Sequence, residues 1–154
     1  MKTSNVILLG VIAFFCVAAL GNDKEVSEPQ GMSLRLELFV DDLEKSIEFY
    51  TQVLGFERLK GGKDYVPVRS GSVVIGLGPA DKLSKQHYFN PELQSSRRGL
   101  GTEIVFEVDD INDMFDRVKA NGHRILSPLI KRPWGATDFR IADPDGYYLR
   151  LTSR

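Results

Sequence analysis

The sequence repeats one pattern twice, and this repeat restricts the possible folds more than any other feature. Residues 34–40 alternate apolar and polar, two aspartates follow, and apolar residues then recur at helical spacing as far as Gly55. The same pattern starts again at residues 104–108, continues with two aspartates and ends its helical stripe before Gly122. The alternation predicts a half-buried strand, the aspartates predict helix N-caps, and the glycines predict helix ends.

After each predicted helix come short β-rich runs, so that each copy of the pattern has the order βαβββ. In the first copy these runs are 56–59, 64–69 and 72–77, and in the second they are 124–126, 138–142 and 147–152. The sequence therefore predicts an α+β fold of two tandem βαβββ modules, over residues 33–78 and 100–153, within one domain over residues 33–154.

Composition excludes several classes of partner and site. The chain has 154 residues, of which 20 are Lys or Arg and 21 are Asp or Glu, and its net charge is −1. This balance argues against a nucleic-acid partner, which requires a basic surface that displaces phosphate counterions. The single cysteine excludes an intrachain disulfide and a cysteine-rich metal site. The composition therefore indicates a protein whose partner is a small molecule or another protein.

The N-terminal segment has the pattern of an export signal. A run without charged side chains extends over residues 6–20, and it is shorter than the roughly 20 residues that span a membrane. We therefore expect residues 1–21 to be a cleaved signal peptide and residues 22–32 a flexible linker. The mature protein would then be exported (periplasmic or secreted), with no stable membrane association. An uncleaved anchor formed by residues 6–20 and a start of translation at Met32 are the alternatives.

Three strings of the sequence resemble one protein family and occur in the order expected for it. They are VDDLEKSIEFYTQVLGFE, VDDINDMFDRVKANGH and PWGATDFRIADPDGYYLRL. Together they resemble the vicinal oxygen chelate superfamily, which includes glyoxalase I, extradiol dioxygenases, fosfomycin-resistance enzymes and bleomycin-resistance proteins. The resemblance covers about residues 33–153. It implies that the two modules form a cupped mixed sheet, with the helices on the outer face and the ligand on the concave face.

The resemblance also implies four metal-ligand positions, which come from the first and last strands of each module. In this chain they correspond to Arg35, Gly76, Glu103 and Arg150. Only Glu103 has a side chain that ligates metals, because arginine is always protonated and has no acceptor. The sequence therefore predicts no metal site and no cofactor.

Strand alternation predicts which side chains face the concave side. We expect the ligand-binding residues to be Arg35, Glu37, Phe39, Glu103, Glu107, Arg140, Tyr148 and Arg150, with Trp134 as a further wall. The charged members allow two interpretations. Glu103 and Arg150 would form a cross-strand salt bridge that keeps a partly buried charge paired. Alternatively, Arg35 and Arg150 would hold an anionic or carbonyl-bearing ligand through their forked donors.

Three classes of function are compatible with these residues. The first is a small-molecule-binding protein that resembles bleomycin-resistance proteins and holds an anionic or aromatic ligand without transforming it. The second is an enzyme of the same superfamily, similar to lactoylglutathione lyase or to a dioxygenase, which uses a non-standard site; the third is an exported interaction domain. The sequence favours the first, because the metal ligands are lost and no catalytic residue is identified in their place. The resemblance further implies that the chain can form a homodimer.

Overall fold

The computed structural model describes residues 34–89 and 98–154. The expected signal peptide over residues 1–21 and the linker over residues 22–32 lie outside these ranges, so both stay predictions. Within the two ranges, no helix has the length and apolar character needed to cross a membrane.

The first module has the predicted order βαβββ. Its elements are β1 (Leu36–Val40), α1 (Leu43–Glu48), β2 (Glu57–Arg58), β3 (Val66–Ser70) and β4 (Val73–Pro79). A π-helical turn over Phe49–Val53 continues α1, and a 3-10 helix over Ala80–Lys82 follows β4. The strands form one mixed sheet in the order β1-β4-β3-β2, in which only the β1–β4 pair is parallel.

The second module repeats this arrangement and confirms the predicted α+β fold. Its elements are β5 (Glu103–Val108), α2 (Ile111–Ala120), β6 (Ser127–Lys131), β7 (Thr137–Ala142) and β8 (Tyr148–Ser153), and the sheet order is β5-β8-β7-β6. The strand predicted at 124–126 was placed too early, because the regular ladder begins only at Ser127. Leu126 N donates to Arg140 O, but the register shifts between Ser127 and Ile130. Pro128 is accommodated because β6 is an edge strand.

Local signals explain where the helices begin and end. The side chain of Asp42 accepts a hydrogen bond from Lys45 N at 3.1 Å, and the side chain of Asp110 accepts from Asp113 N at 3.0 Å. These are the predicted N-caps. Gly55 follows the first helical segment with φ of +76° and Gly122 follows the second with φ of +68°, a conformation that glycine adopts without strain.

Each sheet has one face against the core and a second face that points away from α1 and α2, which we call the open face. In β5 and β8, Phe106, Leu149 and Leu151 are buried in the core, whereas Glu103 and Arg150 lie on the other side of the same strands. One core cluster includes residues of both modules, and it brings Phe56 and Phe106 to a ring-centroid distance of 5.7 Å. The charged side chains predicted for the concave side therefore lie on the open faces.

A polar junction joins the two modules. Tyr50 Oη donates to Asp143 Oδ2 at 3.0 Å, and Ser46 Oγ donates to Asp145 Oδ2 at 3.0 Å. Arg98 forms ion pairs with Asp145, at 3.6 Å, and with Asp41. The two aspartates lie in the turn that connects β7 to β8. They hold α1 and the π-helical turn that continues it in the first module.

Burial raises the pKa of Asp143 to about 6. The negative charge of Asp145 acts in the same direction, whereas hydrogen bonds from Tyr147 N and Tyr50 Oη act against it. A buried carboxylate that few charges compensate prefers its neutral form. The junction therefore contains a group that changes its charge near neutral pH.

Candidate functional site

On the open face of the first sheet, Arg35 is held by its own neighbours. Its Nε lies 2.7 Å from Glu37 Oε1, and its Nη2 donates to Tyr65 Oη. Tyr65 Oη in turn donates to Glu37 Oε1 at 3.1 Å, and the guanidinium lies 5.5 Å from the centroid of the Tyr65 ring. Tyr65 was missed in the sequence, although it precedes β3 and shares a face with the predicted residues. Arg35 and Glu37 thus form a paired cluster in which the arginine has partners on two sides.

Gly76 allows this cluster to lie flat on the sheet. It is the strand partner of Glu37, and a Cβ atom at this position would overlap Glu37 Oε2 and Tyr65 Oη. Glu37 and Tyr65 can therefore pack this closely only because residue 76 has no side chain. The corner where the resemblance implies a metal ligand is filled by a carboxylate and a phenol of the same module.

An aromatic group lies beside this cluster. The ring of Phe39 lies 5.2 Å from that of His87 and 5.6 Å from that of Phe89. His87 Nδ1 accepts a hydrogen bond from Phe89 N at 3.2 Å, and the Phe89 side chain remains exposed. Phe39, His87 and Phe89 therefore form one aromatic surface next to the first sheet, and the role of Phe39 as a wall of the site stays a prediction.

On the open face of the second sheet, Asp138 is the centre of an arginine-rich cluster. Arg132 Nε and Nη2 donate to Asp138 Oδ1 at 2.8 and 2.6 Å, and Arg140 Nη1 donates to the same oxygen at 2.8 Å. Arg140 Nε also donates to Glu103 Oε1 at 3.0 Å. The Asp138 side chain is only 1% exposed. Carboxylates therefore fix the positions of Arg132 and Arg140 on the open face of the second sheet.

The charges of this cluster stabilise one another. Burial by itself would raise the pKa of Asp138, but the hydrogen bond from Arg132 and the charges of Arg140 and Arg132 outweigh it and lower this pKa below its usual value. Burial would lower the pKa of Arg140, but the hydrogen bond to Glu103 and the charge of Asp138 raise it instead. Both side chains are therefore charged at neutral pH.

Arg150 differs from its neighbours because it makes no hydrogen bond to a carboxylate in the described ranges 34–89 and 98–154. Its strand partners are Val105 on β5 and Arg140 on β7. Its Nε is buried without a hydrogen bond, and the nearest carboxylate contact is Glu103 Oε2, at 3.9 Å from this nitrogen. The predicted neighbourhood of Glu103 and Arg150 is thus present, but the pair is long, and Glu103 is held more closely by Arg140.

Of the other predicted residues, Tyr148 lies beside this cluster, and Glu107 and Trp134 lie apart from it. Tyr148 is the strand partner of Glu103, and both line a shallow depression of about 490 Å³. Glu107 lines a separate cavity of about 450 Å³ between the turn after β3 and α2. Trp134 lies in the turn between β6 and β7, is 66% exposed and stacks on no other described ring. The structure therefore brings Glu103, Arg140 and Arg150 together, and it leaves Glu107 and Trp134 apart from them.

Sequence reasoning missed Asp138 and Arg132. Asp138 lies two residues before Arg140 on the same strand, so alternation places both side chains on one face. That spacing was the available signal, but the residue type gave no indication that an aspartate would be buried there. Arg132 lies just beyond β6, where the irregular register obscures the alternation.

The comparison with known proteins decides the family. The family model described as the Glyoxalase/Bleomycin resistance protein/Dioxygenase superfamily matches residues 33–151 of the chain. The chain belongs to this superfamily. A lactoylglutathione lyase of Neisseria meningitidis is 31% identical to it over 125 residues, which cover 79% of this chain and 89% of the relative.

Solved structures of other proteins share the fold. A glyoxalase/bleomycin resistance protein/dioxygenase from Nocardioides has a TM-score of 0.66 at 24% identity and covers 83% of this chain and 86% of its own. An integron cassette protein from Vibrio cholerae has a TM-score of 0.64 at 24% identity and covers 82% of this chain and 98% of its own. At these identities the likeness concerns the architecture, because one fold hosts many functions.

The donor set of this chain does not fit the divalent metal that many members of the superfamily hold. In the part of the chain that the structure describes, no three His, Cys, Asp or Glu side chains converge. Of the four positions that correspond to metal ligands, Glu103 is engaged by Arg140 and Gly76 is covered by Glu37. The other two are arginines, which repel a cation instead of coordinating it.

Proposed function

We propose that this chain binds a small anionic or aromatic molecule on the open faces of its sheets without a metal ion, in the manner of bleomycin-resistance proteins. The observation that supports the proposal most is the arginine-rich cluster around Asp138, which includes Glu103 and Arg150, two of the positions that the resemblance relates to metal ligands. A largely buried guanidinium strengthens polar contacts to a ligand, because it is shielded from water.

Each part of the site would have its own role in binding. Arg150 would donate to a ligand oxygen, and Asp138 would keep Arg132 and Arg140 in place without contact to the ligand. The rings of Phe39 and Phe89 would offer flat apolar surface to an aromatic group. A few converging polar groups beside apolar walls are typical of small-molecule sites.

Two measurements on the purified full chain test this proposal. Elemental analysis of protein prepared without chelator is expected to give no stoichiometric metal, and a thermal-shift screen with planar aromatic and anionic compounds is expected to raise the Tm. A stoichiometric content of Zn, Ni, Mn or Fe contradicts the metal-free site. A screen in which no compound stabilises the protein at high concentration contradicts ligand binding and favours an interaction domain.

A second candidate function is a lyase or isomerase of the same superfamily. It is favoured by the relative named lactoylglutathione lyase, which is 31% identical over 79% of this chain. In such an enzyme a carboxylate on an open face, for example Glu103 or Glu37, would be the candidate acid or base. Lactoylglutathione lyase activity of the purified chain, lost in Glu103→Gln, would support this candidate. Absence of turnover with and without added divalent metal would support the binding protein.

We further propose that the protein is exported and can form a homodimer. The uncharged run over residues 6–20 supports export, and the exposed apolar side chains of Ile130 on the edge strand β6 and Trp134 in the turn after it support a partner of the same chain. N-terminal sequencing of the protein from a cell fraction outside the cytoplasm tests the first proposal. Light scattering coupled to gel filtration tests the second, and a monomer at all concentrations contradicts it.

A further inference from the structure

We infer that Arg150 is the group that recognises the ligand and that it selects a molecule with a single carboxylate attached to an apolar body. This inference rests on the proposed function. It adds the chemical class of the ligand and the residue that binds the carboxylate of the ligand. Before ligand binding, the guanidinium of Arg150 is a cation that no carboxylate of the described residues holds through a hydrogen bond.

Four arginines on the open faces lie within about 4 Å of a carboxylate, and they differ in how closely it holds them. Arg35 is engaged by Glu37 and Tyr65. Arg132 gives two hydrogen bonds to Asp138, and Arg140 gives one to Asp138 and one to Glu103. Arg150 alone of these four makes no hydrogen bond to any described residue, since its 3.9 Å contact with Glu103 is too long for one. A ligand therefore finds donors available on Arg150 and largely occupied on the other three.

The position of Arg150 makes an anion its natural partner. Its side chain is 27% exposed, so that it is partly removed from water but still reachable from the open face. A buried charge without a counterion is unfavourable, and a bound anion compensates it. The two terminal nitrogens of a guanidinium match the two oxygens of a carboxylate in a planar, bidentate contact.

The charge of the cluster limits the charge of the ligand. Arg132, Arg140 and Arg150 contribute three positive charges, and Asp138 and Glu103 contribute two negative charges, which leaves a net charge of +1. One negative charge on the ligand neutralises this cluster, whereas a second one would lie near Glu103 without compensation. The cluster therefore favours a monoanion over a dianion.

The surroundings of Arg150 indicate the rest of the ligand. Val105 is its direct partner on β5, points to the same face and is 39% exposed. Tyr148 lies two residues before Arg150 on β8 and shares this face as well. An apolar side chain and an aromatic ring next to the cation suit a carboxylate whose body is apolar or aromatic.

The test uses three probes that share a phenyl ring. Benzoate carries one carboxylate, benzamide is its neutral counterpart of nearly the same shape, and phenyl phosphate is a dianion at pH 8. Isothermal titration with the full chain is expected to show benzoate binding at least tenfold tighter than benzamide and no weaker than phenyl phosphate. Benzamide binding as tightly as benzoate, or tighter binding of phenyl phosphate, overturns the inference.

Variants assign the effect to one residue. Arg150→Gln is expected to weaken benzoate binding at least about tenfold. Arg150→Lys keeps the charge and loses the forked donor geometry, so its benzoate affinity is expected to lie between those of Arg150→Gln and the wild type. It replaces Arg150→Gln in the test if that variant does not fold. The control is Arg154→Gln, which also removes a positive charge near the C-terminus. Arg154 pairs with the exposed Asp109, so this variant should leave benzoate affinity unchanged.

The outcomes separate this inference from the proposed function. If neutral and anionic probes bind equally well and Arg150→Gln has no effect, the protein binds ligands but Arg150 does not select carboxylates. If Arg35→Gln abolishes benzoate binding and Arg150→Gln does not, the recognition group is Arg35 and the inference is overturned. If none of the three probes binds, both the inference and the proposed ligand class fail.

Discussion

Asp138 accepts two hydrogen bonds from one guanidinium, that of Arg132, at 2.8 and 2.6 Å through the single oxygen Oδ1. The aspartate belongs to a buried strand and the arginine to the turn that precedes it, so this contact fixes the edge of the second sheet. Because Arg140 uses the same oxygen, one carboxylate orients two arginines beside Arg150. The cluster is thus organised by a residue that is itself out of reach of a ligand.

The first prediction concerns this carboxylate. Asp138→Asn leaves two largely buried guanidinium groups without their shared counterion and should lower the free energy of unfolding by about 3 kcal/mol. Chemical denaturation monitored by circular dichroism measures this change. The matched control is Asp109→Asn, which breaks the exposed pair with Arg154 and should stay within about 0.5 kcal/mol of wild type. Equal stabilities of the two variants would show that the Asp138 cluster contributes nothing to folding.

The second prediction concerns the free arginine. Arg150 is a mostly buried cation, and within the described part of the chain no carboxylate forms a hydrogen bond with it. Arg150→Gln should therefore stabilise the ligand-free protein by about 1 kcal/mol. Arg140→Gln should instead destabilise it, since Arg140 donates to both Glu103 and Asp138. Equilibrium unfolding of the two variants without ligand distinguishes the two arginines. A loss of stability in Arg150→Gln as large as in Arg140→Gln would mean that Arg150 serves folding and not ligand binding.

The third prediction concerns pH. The pKa of Asp143 is raised by burial from 3.8 to about 6 in the folded protein. The contribution of this group to stability is therefore fully present below the unfolded value of 3.8 and is lost as the pH rises through about 6. Over this window the wild type should lose about 3 kcal/mol relative to Asp143→Asn, which mimics the protonated form.

Urea unfolding between pH 4 and pH 8 measures this difference, and Asp116→Asn, an exposed aspartate of α2, is the control. The control should have the same pH profile as the wild type. If Asp143→Asn and the wild type also have parallel profiles, Asp143 ionises in the folded protein as it does in the unfolded chain, and the interpretation of the junction is wrong.

The fourth prediction concerns Gly76. A side chain at this position overlaps Glu37 Oε2 and Tyr65 Oη, so Gly76→Ala should displace both groups and cost about 1 kcal/mol. The cost should shrink when Glu37 is also replaced by Ala, because the obstacle is the end of its side chain. Gly62→Ala, which meets no atom within 4 Å, is the control and should be neutral. Double-mutant denaturation curves measure the coupling, and its absence would contradict the close packing at Gly76.

The local features of this fold could be predicted from the sequence, because local signals specify them. Asp42 and Asp110 cap their helices as expected, since an aspartate directly before a helical stripe has a short-range partner. The side of the sheet on which Glu103, Arg140 and Arg150 lie followed from the two-residue period of a strand.

The partners of these residues could not be predicted, because they depend on contacts between distant elements. Glu103 lies opposite Tyr148, and the pairing with Arg140 follows from the registers of two strand pairs that the sequence does not specify. Asp138 is buried and contacts Arg132 and Arg140, which come from the turn before β7 and from β7 itself. The start of β6 was predicted too early since its irregular ladder contains Pro128.

A crystal structure of the full chain grown with benzoate tests most directly whether an arginine occupies the role that a metal has elsewhere in the superfamily. The account predicts a carboxylate in bidentate contact with the two terminal nitrogens of Arg150 and its ring next to Val105. A metal ion coordinated by Glu103, or a benzoate bound away from the arginine-rich cluster, would contradict it.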